Sequence, residues 1–328
     1  MKITILDDYQ YVIEKLQCFE LLKGQHVEVL HETEKDPDKL ASLISDTEIL
    51  VLTRERTEIT EELLSKLPKL KLISQTGKIS NHLDLHACTK YNVTVADGVG
   101  SPIAPAELTW ALLMNTIRQI PQAIDAMKLG KWQTNIGTTV YGKILGIWGY
   151  GIIGQKIAQY GKVFGANILV WGSENSRRKA VEDGFEQANT KEIFFETADI
   201  ITLHLRLTSE TFASVKERDL SMMKENAVLI NTARSELIEK QGLENILKSG
   251  KKIFVGVDVY ENEPIYDKNY ELLKYNNTVC TPHLGYVELN GYELYFGKAF
   301  ENVVNYINGK STNIANPETL KNRNACSY

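Results

Sequence analysis

Three strand-like stretches late in the chain each end in a different kind of reactive side chain. AVLINTAR delivers Arg234, KIFVGVDVYENEP delivers Asp258 and Glu263, and NTVCTPH delivers His283. A guanidinium can bind an anion through planar paired hydrogen bonds, and an imidazole beside a carboxylate can move a proton near neutral pH. In an open parallel α/β sheet, ligands bind beyond the carboxyl ends of the strands, so these side chains read as parts of one site. Cys280 sits close enough to His283 to suggest a nucleophilic pair. The plainer reading, a small apolar side chain in a buried strand, is the one adopted.

Upstream, KILGIW runs into Gly149-Tyr150-Gly151-Ile152-Ile153-Gly154 and then into the helical pattern QKIAQYGKVFGA. In such a loop the first glycine makes the tight turn, the second lets a pyrophosphate approach the backbone, and the third lets helix and strand pack closely. The helix N-terminus then offers N–H groups and a positive dipole end to the phosphates. A plain βα turn also carries glycines, but the flanking strand and helix favour a dinucleotide. If the cofactor is NAD, the next strand should end in an acid that holds the ribose hydroxyls. That strand ends Val170-Trp171-Gly172-Ser173-Glu174, with Arg177 and Arg178 following. The acid position near Gly172 is empty and Glu174 lies beyond it, while the arginines could grip the extra phosphate of NADP. A solvated helix face is the other reading of both arginines, so NAD(H) and NADP(H) both remain open.

The elements that position these residues follow a βα rhythm. KITIL, HVEVL, EILVLT, LKLIS and VTVA read as strands in the first hundred residues, with DPDKLASLI, TEELLSKL and NHLDLHACTKY as helices between them. Residues 101–132 form a long helical pattern that Pro121 should break. The second half gives six strand candidates in order: KILGIW, NILVW, ADIITLH, AVLINT, KIFVGVDV and NTVCTPH. Alternating strands and helices imply parallel sheets, and therefore an α/β fold of two doubly wound domains. VELNGYELYFGKAFENVVNYING reads as a final long helix, and the tail beyond Lys310 as loose and polar.

At 328 residues the chain exceeds the size at which one core stops growing, which favours two domains. A formal net charge of −5 argues against nucleic acid as a partner, because phosphate binding needs a basic face. The start MKITILDDYQ enters a strand at once and lacks a secretory pattern. No apolar run approaches the ~20 residues that span a bilayer. Cys18, Cys88, Cys280 and Cys326 are scattered without C-x-x-C spacing, which fits a reducing cytoplasm better than zinc or disulfides.

Taken together, TGKISNHLDL, GYGIIG, LHLRLTSET, MMKENAVLINTARSELIE, VDVYENEP and TPHLG resemble the D-isomer-specific 2-hydroxyacid dehydrogenases. The resemblance extends to about residue 308. It implies a Rossmann nucleotide domain at 101–286, inserted in a flavodoxin-like substrate domain formed by 1–100 plus 287–328. It also implies a homodimer and hydride transfer between a nicotinamide cofactor and a 2-hydroxyacid/2-oxoacid pair. Carried over motif by motif, the catalytic set becomes Arg234, Glu263 and His283. The cofactor set becomes Gly149, Gly151, Ile152, Ile153, Gly154, Ser173, Glu174, Arg177, Leu205, Thr232 and Asp258, with Asp258 on the carboxamide side.

Two departures bear on the substrate. The family's carboxylate loop commonly reads G-x-G, whereas here it is Gly77-Lys78-Ile79, with Lys78 as a candidate cation and Ile79 at a glycine's place. Arg206 stands where the family usually has proline. An NAD(H)-sensing corepressor of the same fold is the rival reading, which the short tail does little to support. Formate dehydrogenase is disfavoured because that branch carries glutamine where this chain has Glu263.

Overall fold

The computed structural model describes residues 1–320. The chain forms two compact units: Met1–Ser101 with the stretch beginning at Glu288, and Pro102–Val287. They are called here the N-terminal unit and the inserted unit.

The N-terminal unit is built on β1 (Lys2–Ile5), β2 (His26–Val29), β3 (Ile49–Leu52), β4 (Leu72–Gln75) and β5 (Thr94–Ala96). All are parallel, in the order β2-β1-β3-β4-β5. Every residue of β3 and β4 is buried, as expected when a parallel sheet is covered on both faces. Helices α1 (Pro37–Leu43), α2 (Glu61–Ser65) and α3 (Leu85–Lys90) begin at Asp36, Thr60 and Asp84, whose side chains accept first-turn N–H groups.

The inserted unit opens with α4 (Ile103–Arg118) and α5 (Ile120–Lys128). The chain turns at Gln119 in left-handed backbone, and Pro121 lies in the first turn of α5. The expected break therefore falls before the proline, whose missing N–H is harmless at a helix start. The sheet contains β6 (Ile144–Trp148), β7 (Asn167–Trp171), β8 (Glu186–Gln187), β9 (Ile200–Leu203), β10 (Val228–Asn231), β11 (Phe254–Val257) and β12 (Thr278–Cys280). The order is β12-β11-β10-β9-β6-β7-β8, again wholly parallel. Six of these strands coincide with the sequence reading, and β8 is a seventh at the edge.

Between the strands run α6 (Ile152–Val163), α7 (Glu174–Glu182), α8 (Lys191–Thr197), α9 (Glu217–Met222) and α10 (Gly242–Lys248). Apolar residues fill both faces of the sheet. Phe194, Phe195, Leu229 and Leu243 lie in one cluster, and Leu113, Ile147, Ile157 and Ile230 in another.

The last helix, α11 (Leu289–Ile307), belongs to the N-terminal unit, where Ser74 Oγ donates to its Ala299 carbonyl at 2.9 Å. The stretch after Lys310, expected to be loose, is anchored as far as it is described. Ile314 bridges Ala96, and buried Asn316 accepts from the Val95 N–H at 2.8 Å and donates to the Val93 carbonyl at 2.9 Å. An asparagine that completes the hydrogen bonding of a sheet edge looks polar and loose in sequence. Cys326 lies outside the described residues. No helix among the described residues is long and apolar enough to cross a membrane.

Both sheets are doubly wound. Strand order reverses between β1 and β3 and between β6 and β9, and at such points the carboxyl ends of an open α/β sheet leave room for a ligand.

Candidate active site

Three adjacent strands of the inserted unit bring the reactive side chains together. After β10, buried Asn231 fixes the turn: its Oδ1 accepts from the Ala233 N–H at 3.0 Å, and its Nδ2 donates to the Arg234 carbonyl at 2.8 Å. Half-buried Arg234 donates from Nη1 to the Ala233 carbonyl at 2.6 Å. Thr232 is held from the helix side by a 2.6 Å hydrogen bond between its hydroxyl and that of Thr109 on α4.

After β11 come Asp258 and Glu263, and after β12 comes His283. Glu263 Oε1 accepts from the Tyr260 N–H at 2.9 Å, and its Oε2 lies 2.6 Å from His283 Nδ1. The carboxylate is thus held by one backbone donor and presents its other oxygen to the ring. His283 has a left-handed backbone, with φ of 51°. Asp258 stabilises that turn by accepting from Thr281 Oγ1 at 2.7 Å, Leu284 N–H at 2.7 Å and Gly285 N–H at 2.9 Å. Burial pushes the Asp258 carboxyl above its ordinary range, against the opposing pull of these donors and of nearby His283. The Tyr286 ring stands edge-on to the imidazole, 5.8 Å between centroids.

The glycine loop occupies the reversal point of the same sheet. Gly149 has φ of 100°, and a Cβ on it would lie 2.7 Å from the His204 carbonyl oxygen. A Cβ on Gly154 would lie 2.1 Å from the Gly149 carbonyl oxygen, so helix and strand can approach this closely only with glycine there. Gly151 begins α6 without a side-chain cap, and a Cβ on it would meet nothing within 4 Å. First-turn N–H groups facing open space fit the pyrophosphate of a dinucleotide. Ile152 is exposed beside them, Ile153 is half-buried against the core, and Leu205 lines Gly149.

At the end of β7, Ser173 caps α7 by accepting from the Ser176 N–H at 3.3 Å. Glu174 is exposed, and Arg178 donates to Asn175 at 2.8 Å. Arg177 folds back over the Trp171 ring, 4.9 Å from its centroid.

In the N-terminal unit, Lys78 pairs with Asp97 at 2.6 Å, and the Ile79 N–H donates to the same carboxylate at 2.9 Å. Ile79 is not among the described residues with positive φ, so a β-branched residue is tolerated there. Arg54 escaped the sequence reading. Its backbone N–H donates to Thr76 Oγ1 at 2.9 Å, and its Nη1 would lie 2.3 Å from a Cβ on Gly77. The one signal in Thr-Arg-Glu-Arg-Thr is its place at the end of a strand. Asn231 and His204 were also passed over, although both lie inside the motifs quoted.

The profile of a family described as D-isomer specific 2-hydroxyacid dehydrogenase, NAD binding domain, matches residues 110–285. A solved structure of phosphoglycerate oxidoreductase from Vibrio cholerae superposes with a TM-score of 0.93 at 50% identity, covering 94% of this chain and 99% of the other. The glyoxylate reductase of Thermococcus litoralis is 34% identical over 84% of this chain and 82% of its own length. The D-3-phosphoglycerate dehydrogenase of Methanocaldococcus jannaschii is 35% identical over 76% of this chain, which spans only 47% of that relative's length. The chain therefore belongs to the D-isomer specific 2-hydroxyacid dehydrogenase family of NAD-binding oxidoreductases.

Proposed function

We propose that the protein interconverts a 2-oxo acid and the corresponding D-2-hydroxyacid, with the inserted unit as cofactor domain and the N-terminal unit as substrate domain. The observation that supports this most is the 2.6 Å contact between Glu263 and His283 Nδ1, on strand ends adjoining that of Arg234. When bound, the nicotinamide cofactor supplies the hydride for reduction and accepts it in the reverse direction. Gly149, Gly151 and the first-turn N–H groups of Ile152, Ile153 and Gly154 would hold its pyrophosphate. Asp258 Oδ2, which accepts one N–H, has a lone pair to spare for a carboxamide.

Arg234 then binds the substrate carboxylate and the 2-oxo oxygen through its planar fork. With Nδ1 directed at Glu263, His283 gives its proton from Nε2 to the oxygen that becomes the hydroxyl. The atoms balance: one hydride to carbon and one proton to oxygen turn the ketone into a secondary alcohol. Glu263 holds the ring in place through its contact with Nδ1.

We assign the protein to the reducing cytoplasm on its cysteine usage, Cys18, Cys88 and Cys280 being free thiols. A second copy of the chain is proposed to cover the exposed apolar run Ile124, Met127, Leu129, Trp132 and Ile136; light scattering would report a dimer if so and a monomer if not. The reaction is tested by following NADH and NADPH oxidation against glyoxylate, hydroxypyruvate, pyruvate and longer 2-oxo acids. Saturable turnover with at least one of them is expected, and none with any would sink the proposal.

A further inference from the structure

We propose that Arg177 binds the 2′-phosphate of NADP(H) and so equips the chain to use the phosphorylated cofactor. The inference rests on reading the inserted unit as a cofactor domain, and it concerns the strand end at which the two cofactors are told apart.

At that strand end, an acid would suit NAD and a cation NADP. Gly172 occupies the acid position with φ of 147°, a backbone that any side chain would strain. Glu174, the nearest carboxylate in sequence, is exposed and makes no hydrogen bond or ion pair among the described residues. Neither residue supplies a fixed acceptor for ribose hydroxyls.

The cations separate cleanly. Arg178 donates to Asn175 at 2.8 Å, lies 3.9 Å from Glu182, and belongs to the solvated face of α7. Arg177 lies one turn before fully buried Ala180, and so on the face of α7 turned to the sheet. Its guanidinium lies 4.9 Å from the centroid of Trp171, the last residue of β7, and its Nε is buried without a hydrogen-bond partner. That nitrogen is shielded from solvent, so an incoming anion would meet the Nη donors of the same guanidinium and offset its charge. The indole face holds the cation by its quadrupole. A phosphate accepts such a fork with two parallel hydrogen bonds. At the start of α7 the Ser173 hydroxyl donates to Ser176 Oγ at 3.1 Å, which leaves the Ser176 hydroxyl as a neutral donor one residue before Arg177.

Calorimetry on the full chain with two probes isolates this contact: adenosine 2′,5′-bisphosphate and adenosine 5′-monophosphate, which differ only in the 2′-phosphate. The native chain should bind the bisphosphate at least about tenfold more tightly, and Arg177→Met should remove about that factor while the monophosphate changes less than about threefold. Arg177→Lys keeps the charge without the fork and should fall between them, which preserves the test if the methionine variant folds poorly. Equal affinity of the native chain for both probes would overturn the proposal. So would equal loss of both in Arg177→Met, which would make the guanidinium a platform for adenine. Binding of neither probe by the native chain would overturn the cofactor-domain reading itself.

Discussion

A guanidinium meets a planar 2-oxo acid with two parallel donors, which an ammonium cannot reproduce. Arg234→Lys should therefore lower kcat/KM by about a hundredfold or more while nucleotide binding persists, a loss of about 2.7 kcal/mol. Steady-state kinetics alongside a nucleotide titration checks this, and near-normal kcat/KM would remove Arg234 from the reaction. Glu263 acts through His283, since its Oε2 lies 2.6 Å from Nδ1. Glu263→Gln keeps the shape and removes the charge from the group that holds Nδ1, so kcat for reduction should fall about tenfold or more while nucleotide binding persists, as steady-state kinetics beside a nucleotide titration would show. An unchanged kcat would take Glu263 out of the reaction. These residues were legible because their types and strand-end places suit an acid–base pair with an anion binder. Arg54 was not, because nothing local in Thr-Arg-Glu-Arg-Thr reveals that Gly77 folds against its guanidinium.

Among the elements, the strands could be read because both sheets are covered on both faces, which demands runs such as ILVL and VLIN. β8 could not: it is two exposed polar residues at a sheet edge, Glu186 and Gln187, with no apolar signature. The α4–α5 break was displaced because a left-handed Gln119 makes the turn and leaves Pro121 in a tolerated place. The glycine loop is the least forgiving element. Gly154→Ala puts a methyl 2.1 Å from backbone, not from a movable side chain, so α6 must shift. Affinity for NAD should fall at least about tenfold, a change of about 1.4 kcal/mol, and unchanged binding would mean that the loop does not hold the pyrophosphate.

His204, which follows β9, links this element to pH. Burial holds its imidazole down at about 3, from an ordinary 6.5. The unfolded chain binds the extra proton between those values, so stability should fall as pH drops from about 6.5 toward about 3. The slope is at most about 1.4 kcal/mol per pH unit, and less because the residue as a whole is only half-buried. Melting temperatures of the native chain and His204→Asn between pH 7 and pH 5 decide it. The native chain should lose more, and parallel curves would contradict the assignment.

For the whole molecule, net charge and length bounded the class of protein, and the two doubly wound sheets follow from the βα rhythm. Substrate choice depends on finer features. Lys78 and the Ile79 N–H are both engaged by Asp97. The central claim is direct hydride transfer to a 2-oxo carbon, with the proton coming separately from His283. The most direct test supplies cofactor deuterated at the transferable position of the nicotinamide, together with the best 2-oxo acid acceptor of the panel that yields a chiral product. The account predicts a D-2-hydroxyacid carrying deuterium at C2 and a solvent-derived proton on oxygen. A product without deuterium at C2, or of the L configuration, would contradict it.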